Sequence, residues 1–247
     1  MNAISRFSAP FLLCILLLSP VDPASAQGSG RVVPRSDPFI EQSQAFLDGH
    51  PDIKYRNLGF RSYKKGEFAD ALDYFKRAAY FADKPSQAMV GEMHWKGEGV
   101  PVDKAQAYAW LDLASERQYP NLLLVRERFW SGLDAAQQAE AVRLGEALYA
   151  RYGDDVAKKR LEAKLRSTRA KTTGSRTGSV GSLTVYLAGP DGEGVAVDGS
   201  QFYQEQYWKP EQYWQWQDRT WKVLSRGNVR ASELQALPPK SPETDKP

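Results

Sequence analysis

Residues Ser86–Asn121 read SQAMVGEMHWKGEGVPVDKAQAYAWLDLASERQYPN, and this stretch decides the architecture. Two short helical segments flank the glycine-rich turn KGEGVPVD, and Pro120 closes the second. Small residues stand where two packed helices would touch: Ala88 and Gly91 on the first segment, Ala107 and Ala114 on the second. A pair this short cannot bury its apolar face alone and must stack on neighbours. The pattern predicts a repeat array.

A degenerate copy precedes it. Pro51–Lys65 is expected as a helix with Ile53, Tyr55, Leu58 and Tyr63 inward, ended by Gly66. Glu67–Ala82 follows, with Phe68, Ala71, Leu72, Phe75, Ala78 and Ala79 at helical spacing, and Asp83-Lys84-Pro85 stops it. Ala71, Tyr74, Phe75, Ala78 and Ala79 recur 36 residues later as Ala107, Trp110, Leu111, Ala114 and Ser115. Leu58-Gly59 recurs as Val90-Gly91 after only 32, so the later unit carries extra residues in its turn.

Ala88, Gly91, Gly97, Gly99, Val100, Asp103, Ala107, Trp110 and Ala114 together resemble the Sel1-like repeat, a relative of the tetratricopeptide repeat. Residues 54–85 are closer to a plain tetratricopeptide unit. Beyond Pro120, Leu122, Val125 and Phe129 face inward and Ala135–Tyr152 is expected to cover the end. The resemblance spans roughly residues 51–152. It implies an α-solenoid and a non-enzymatic scaffold whose groove is lined by the first helix of each pair. Arg61, Tyr63, Lys64, Glu92 and Trp95 are the groove candidates, and Ala71, Ala78 and Ala79 join the small residues above as packing positions.

The first residues have the makeup of an export signal. Met1–Arg6 is positive, FLLCILLL at residues 11–18 is apolar, and Ala24-Ser25-Ala26 is a small-residue cleavage site before Gln27. The apolar run falls short of the ~20 residues that span a bilayer. Cleavage predicts an exported protein, periplasmic or secreted, with no transmembrane segment afterwards. Cys14, the only cysteine, would leave with the signal. That removes disulfides, a thiol nucleophile and a thiolate metal site from the mature chain.

The second half changes character. Between Val156 and Arg176 eight basic residues face one acid, Glu162, which reads either as a solvated helix end or as a patch for an anionic polymer. Leu183, Val185 and Leu187 alternate as in a strand, and Val195-Ala196-Val197 can pair back. Phe202–Trp221 is crowded with aromatics, and Lys209-Pro210-Glu211 opens a helix. Those rings form either the core of a small module or a stacking platform for a glycan or peptide. Trp208, Tyr213, Trp214 and Trp216 are the candidates. Adjacent positions 214 and 216 are not expected to enter one core together.

Catalytic signatures are thin. His94 has no second histidine at helical spacing, and Gly97-Glu98-Gly99 lacks the lysine-serine partner of a phosphate loop. Asp154 and Asp155 point about 100° apart on a helix. No metal or cofactor is implied, and a net charge of +3 makes no case for nucleic acid. The expected fold is an all-α helical repeat followed by a small α+β module. Its segments are a signal at 1–26, a lead-in at 27–36, repeats with capping helices at 37–167, a basic linker at 168–181, the aromatic module at 182–237 and a disordered tail at 238–247. The expected partner is a protein or peptide of the cell envelope, with glycan or peptidoglycan as the alternative.

Overall fold

The computed structural model describes residues 36–172, 183–188 and 193–226. The expected signal peptide, the tail expected to be disordered and most of the expected linker lie outside them. The described residues from Asp37 onward belong to one compact unit.

Among the described residues nine α-helices come first: α1 (Pro38–Gln42), α2 (Gln44–Gly49), α3 (Pro51–Lys64), α4 (Phe68–Ala79), α5 (Lys84–Lys96), α6 (Lys104–Ala114), α7 (Pro120–Ser131), α8 (Ala135–Tyr152) and α9 (Asp154–Thr172). An antiparallel hairpin follows, β1 (Thr184–Ala188) and β2 (Gly194–Asp198), with Val185 opposite Val197. Two single-turn helices, α10 (Gly199–Phe202) and α11 (Glu205–Trp208), lead to α12 (Pro210–Arg226). Aspartate and serine start the helices as N-caps should. Asp37, Ser43, Asp83, Asp103 and Asp134 each accept a hydrogen bond from a backbone N–H one turn in, and Asp134 with Gln137 completes a capping box.

The repeat is visible as packing. In each unit a glycine on the first helix admits a side chain from the second. A Cβ on Gly59 would lie 2.6 Å from the Phe75 ring, and one on Gly91 would lie 2.8 Å from the Ala107 carbonyl oxygen and 3.0 Å from Leu111. Phe75 and Leu111 are the repeat-equivalent residues. Ala71, Ala78, Ala107 and Ala114, all fully buried, keep the helix axes close. The shared core comprises Leu72, Phe75, Val90, Met93, Trp110 and Leu113, with α8 adding Leu148.

The longer turn of the second unit needs left-handed backbone. Gly97 ends α5 at φ +78°, and the N–H groups of Gly97 and Glu98 both donate to the Met93 carbonyl. Gly99 presses on the start of α4, where a Cβ would meet the Phe68 carbonyl at 2.6 Å. The turn is therefore a spacer between repeats.

The aromatic segment does not form a module of its own. Phe202, Tyr203, Tyr207, Trp208 and Tyr213 share one buried cluster with Ile40, Phe46 and Ile53 from α1–α3 and with Leu161 and Leu165 from α9. This corrects the expected partition into a repeat domain at 37–167 and a separate module at 182–237. Helix α9, which brings Leu161 and Leu165 to the rings, runs past the expected boundary at 167 to Thr172. A two-stranded hairpin with so few apolar residues has little core of its own. Leu187 and Val197 complete the shared cluster from the hairpin's inner face.

Candidate partner-binding surface

The expected groove residues gather near the turn end of the repeats. Arg61 and Lys64 are exposed at the end of α3. Tyr63 donates to Glu98 Oε2 at 2.7 Å. Burial, and then the neighbouring Glu98, raise its phenol pKa. Glu92 pairs with Lys96 at 2.5 Å. Trp95 lies against Phe129 of α7, ring centroids 4.1 Å apart, with the Lys104 ammonium over its face. Tyr63, Glu92 and Trp95 are thus engaged within the chain, and Arg61 and Lys64 are the outward groups of the set.

The C-terminal aromatics fall differently from a stacking platform. Trp208 and Tyr213 are buried, which overturns their expected role as binding surface. Trp208 Nε1 donates to the Phe202 carbonyl oxygen at 2.7 Å, and the Tyr213 hydroxyl donates to Asp52. Trp214 and Trp216 are half-buried, and both pack on the same cluster, contrary to the expectation that they could not. One and three residues after Tyr213, at about 100° per residue, they sit on its opposite flanks. Their rings contact Tyr213 edge-on at 5.3 and 5.6 Å. Burial takes Trp208 and Tyr213 out of the surface on which glycan binding rested, and leaves Trp214 and Trp216 partly exposed.

Under that cluster runs a buried charge network that the sequence did not announce. Lys84, with a fully buried side chain, meets Glu116 at 2.6 Å and Asp154 at 3.1 Å. Arg117 grips Asp154 through two nitrogens at 2.7 and 2.9 Å and stacks on Trp214 at 4.7 Å. Lys158 adds a contact to Asp154 at 2.9 Å, and Trp214 Nε1 donates to Glu162 at 3.0 Å. Burial works to raise the Asp154 carboxyl, and Arg117, Lys84 and Lys158 outweigh it, holding it well below the usual range. The network ties α5, α9, α12 and the turn Ser115–Arg117 that follows α6 together. Part of the basic stretch therefore serves structure, and at about 100° per residue Lys159, Arg160, Lys164, Arg166 and Arg169 spread around α9 instead of lining one face.

Two further buried groups have perturbed protonation. His50 stacks on Phe46 at 3.7 Å, with Nδ1 2.8 Å from the Phe46 carbonyl oxygen and Nε2 2.7 Å from that of Tyr207. Burial pushes it down to about 4, against the pull of the two carbonyls. Burial, then Asp83, raises Asp52 to about 7, and its Oδ1 has no hydrogen-bond partner. Both side chains are buried in packed structure, His50 fully and Asp52 at 2% exposure. Among the described residues no three His, Cys, Asp or Glu side chains gather as a metal site.

An open cleft of about 450 Å³ lies elsewhere, between α3, α4 and the C-terminal end of α8. Tyr55, Tyr80, Phe81 and Tyr152 supply rings, and Lys76, Arg77 and Arg151 supply cations with Asp73 as the one acid. Sequence reasoning missed it because the second helix of the first pair was read only for its inward alanines. The signal was there in YFKRAAYF, residues 74–81, where rings and cations alternate with the packing positions.

Helix pairs stacked through small-residue contacts, closed by further helices and offering an open cleft, define a helical-repeat protein. Within it, residues 84–119 match the Sel1 repeat, so the chain carries a Sel1-like repeat where the glycine turn lies. The similar solved structures include a protective antigen of uropathogenic Escherichia coli strains displaying an SLR fold. It shares 24% identity and a TM-score of 0.39, covering 44% of this chain and 24% of the antigen. This chain therefore spans about a quarter of that protein's length. No curated protein matches the sequence. Sel1 repeats are generally protein-interaction scaffolds. No helix among the described residues is long and apolar enough to cross a membrane.

Proposed function

We propose that this protein is a non-enzymatic, exported scaffold that holds a protein or peptide partner of the cell envelope. The observation that carries the reading is the formed Sel1 unit at residues 84–119, stacked on its degenerate copy so that both pairs close their cores and leave an accessible cleft beside them. Export follows from the charged, apolar and small-residue succession of residues 1–26. Peptide binding suits a rigid helical frame, because a preformed surface keeps the ordering cost of association low.

The test is site-specific photo-crosslinking in the producing cell, with the full chain carrying a photoreactive phenylalanine at position 80 or 61. A discrete protein adduct in the envelope fraction, from a chain whose mature N-terminus is Gln27, is the expected result. Lack of any protein adduct from either position would falsify the scaffold reading, and a chain retaining Met1 in the cytoplasm would remove the envelope.

A further inference from the structure

The cleft beside α4 is electrostatically unfinished. Arg77 is paired with Asp73 at 2.8 Å, and that is the one carboxylate lining the space. Lys76 is half-buried and has no hydrogen bond or ion pair among the described residues. Burial lowers its ammonium pKa, and Asp73, whose carboxylate is already paired with Arg77, offsets this only in part. Arg151 packs its guanidinium on Tyr152 at 5.3 Å, and Arg160 lies 3.9 Å over the Tyr80 ring. Arg160 Nη1 is used on the carbonyl oxygens of Arg151 and Tyr80, and neither arginine meets a carboxylate.

Stacking on a ring holds a guanidinium in one plane and leaves its edge free for a carboxylate. A half-buried ammonium with no hydrogen-bonded carboxylate costs free energy that an incoming anion returns. The rings alongside are apolar and accessible, Tyr80 being 38% exposed. The cations do not continue along α9 as the stripe a polyanion requires, because Lys158 and Arg166 are paired with Asp154 and Glu162. Resting on the scaffold reading above, we infer that this cleft binds an acidic peptide segment. Its carboxylate sits between Lys76 and Arg151, and an adjoining apolar or aromatic side chain packs on Tyr80.

The test uses the full chain and fluorescein-labelled peptides of alternating Glu and Phe, or of alternating Lys and Phe, with an oligothymidylate as a third probe. The acidic peptide is expected to bind at least about tenfold more tightly than the basic one, and to weaken as salt rises. Lys76→Gln with Arg151→Gln should cost about tenfold with an unchanged thermal transition, and Tyr80→Ser should weaken binding without altering its salt dependence. Equal binding of the two peptides, indifference to the double substitution, or equally tight oligothymidylate binding overturns the inference. A crosslinked envelope protein held equally by wild type and the double variant keeps the scaffold reading and overturns only the cleft. Absence of any adduct from either form sinks the scaffold reading itself.

Discussion

The Nε2 atom of His50 lies 2.7 Å from the carbonyl oxygen of Tyr207, 157 residues further along the chain. The other ring nitrogen meets the Phe46 carbonyl. A neutral imidazole has one N–H and can donate to only one of them, whereas the imidazolium can donate to both. The ring nevertheless sits fully buried among Phe46, Trp208 and Tyr213, and burial keeps it neutral down to about pH 4. This contact fastens the C-terminal aromatics to the first helices. His50→Ala is expected to cost about 2–4 kcal/mol, combining a cavity with a lost buried hydrogen bond. Amide exchange in α11 and α12 should rise more than in α5 and α6; uniform protection across the chain would show that the contact fastens nothing.

His50 and Asp52 give opposite pH dependences over nearly the same window. His50 is depressed from 6.5 to about 4, so its contribution is complete above 6.5 and is lost as pH falls through 4. Asp52 is raised from 3.8 to about 7, so its contribution is complete below 3.8 and is lost as pH rises through 7. Each is of the order of 3 kcal/mol, and they largely cancel between pH 4 and 7. Asp52→Asn should unmask the histidine, giving a protein whose stability climbs with pH across that range. Denaturant midpoints at several pH values check this, and a flat profile for the variant counts against it.

Arg117 and Asp154 make a second, independent tie. Truncating Arg117 leaves Asp154 with fewer counter-charges in a buried site, and a loss of about 3–5 kcal/mol is expected for Arg117→Ala. Breaking a buried pair in this way is insensitive to salt, whereas an exposed pair would be screened. Urea unfolding at low and high ionic strength separates the two. A cost that vanishes in high salt would place Arg117 on the surface energetically.

How far the sequence led depends on what each pattern encodes. Helical spacing, caps and the glycine turn are local, so α3–α6 were legible: Ala71, Ala107 and Ala114 are buried as their spacing implied, and Gly97 ends α5 in the left-handed region. The partnership of Trp208 with Phe46 spans the whole chain and leaves no periodic trace. Its rings could equally have been core or platform until a cluster holding Ile40 and Leu161 placed them. Lys84 appeared as a helix-stop residue, since nothing local foretells that its ammonium is buried against Glu116 and Asp154. The cleft was hidden for the opposite reason: its residues alternate with packing alanines on α4, and the inward ones drew the reading.

The equivalence of the two repeat units rests on Gly59 facing Phe75 and Gly91 facing Leu111, and it can be measured. A methyl at position 59 would stand 2.6 Å from the Phe75 ring, closer than real Cβ contacts, and it pushes on a side chain. At position 91 it would stand 2.8 Å from the Ala107 carbonyl oxygen, so it pushes on backbone. Overpacking costs about 1–3 kcal/mol, offset in part by the roughly 1 kcal/mol that alanine gains over glycine in a helix. Gly91→Ala should therefore be the more destabilising, because backbone cannot turn aside as a ring can. Gly59→Ala should be largely rescued by Phe75→Leu, which supplies the smaller side chain the second unit already uses. A double-mutant cycle by thermal unfolding reads this as a favourable coupling of about 1 kcal/mol or more. Strict additivity would mean that Gly59 and Phe75 do not share the contact the repeat assigns them.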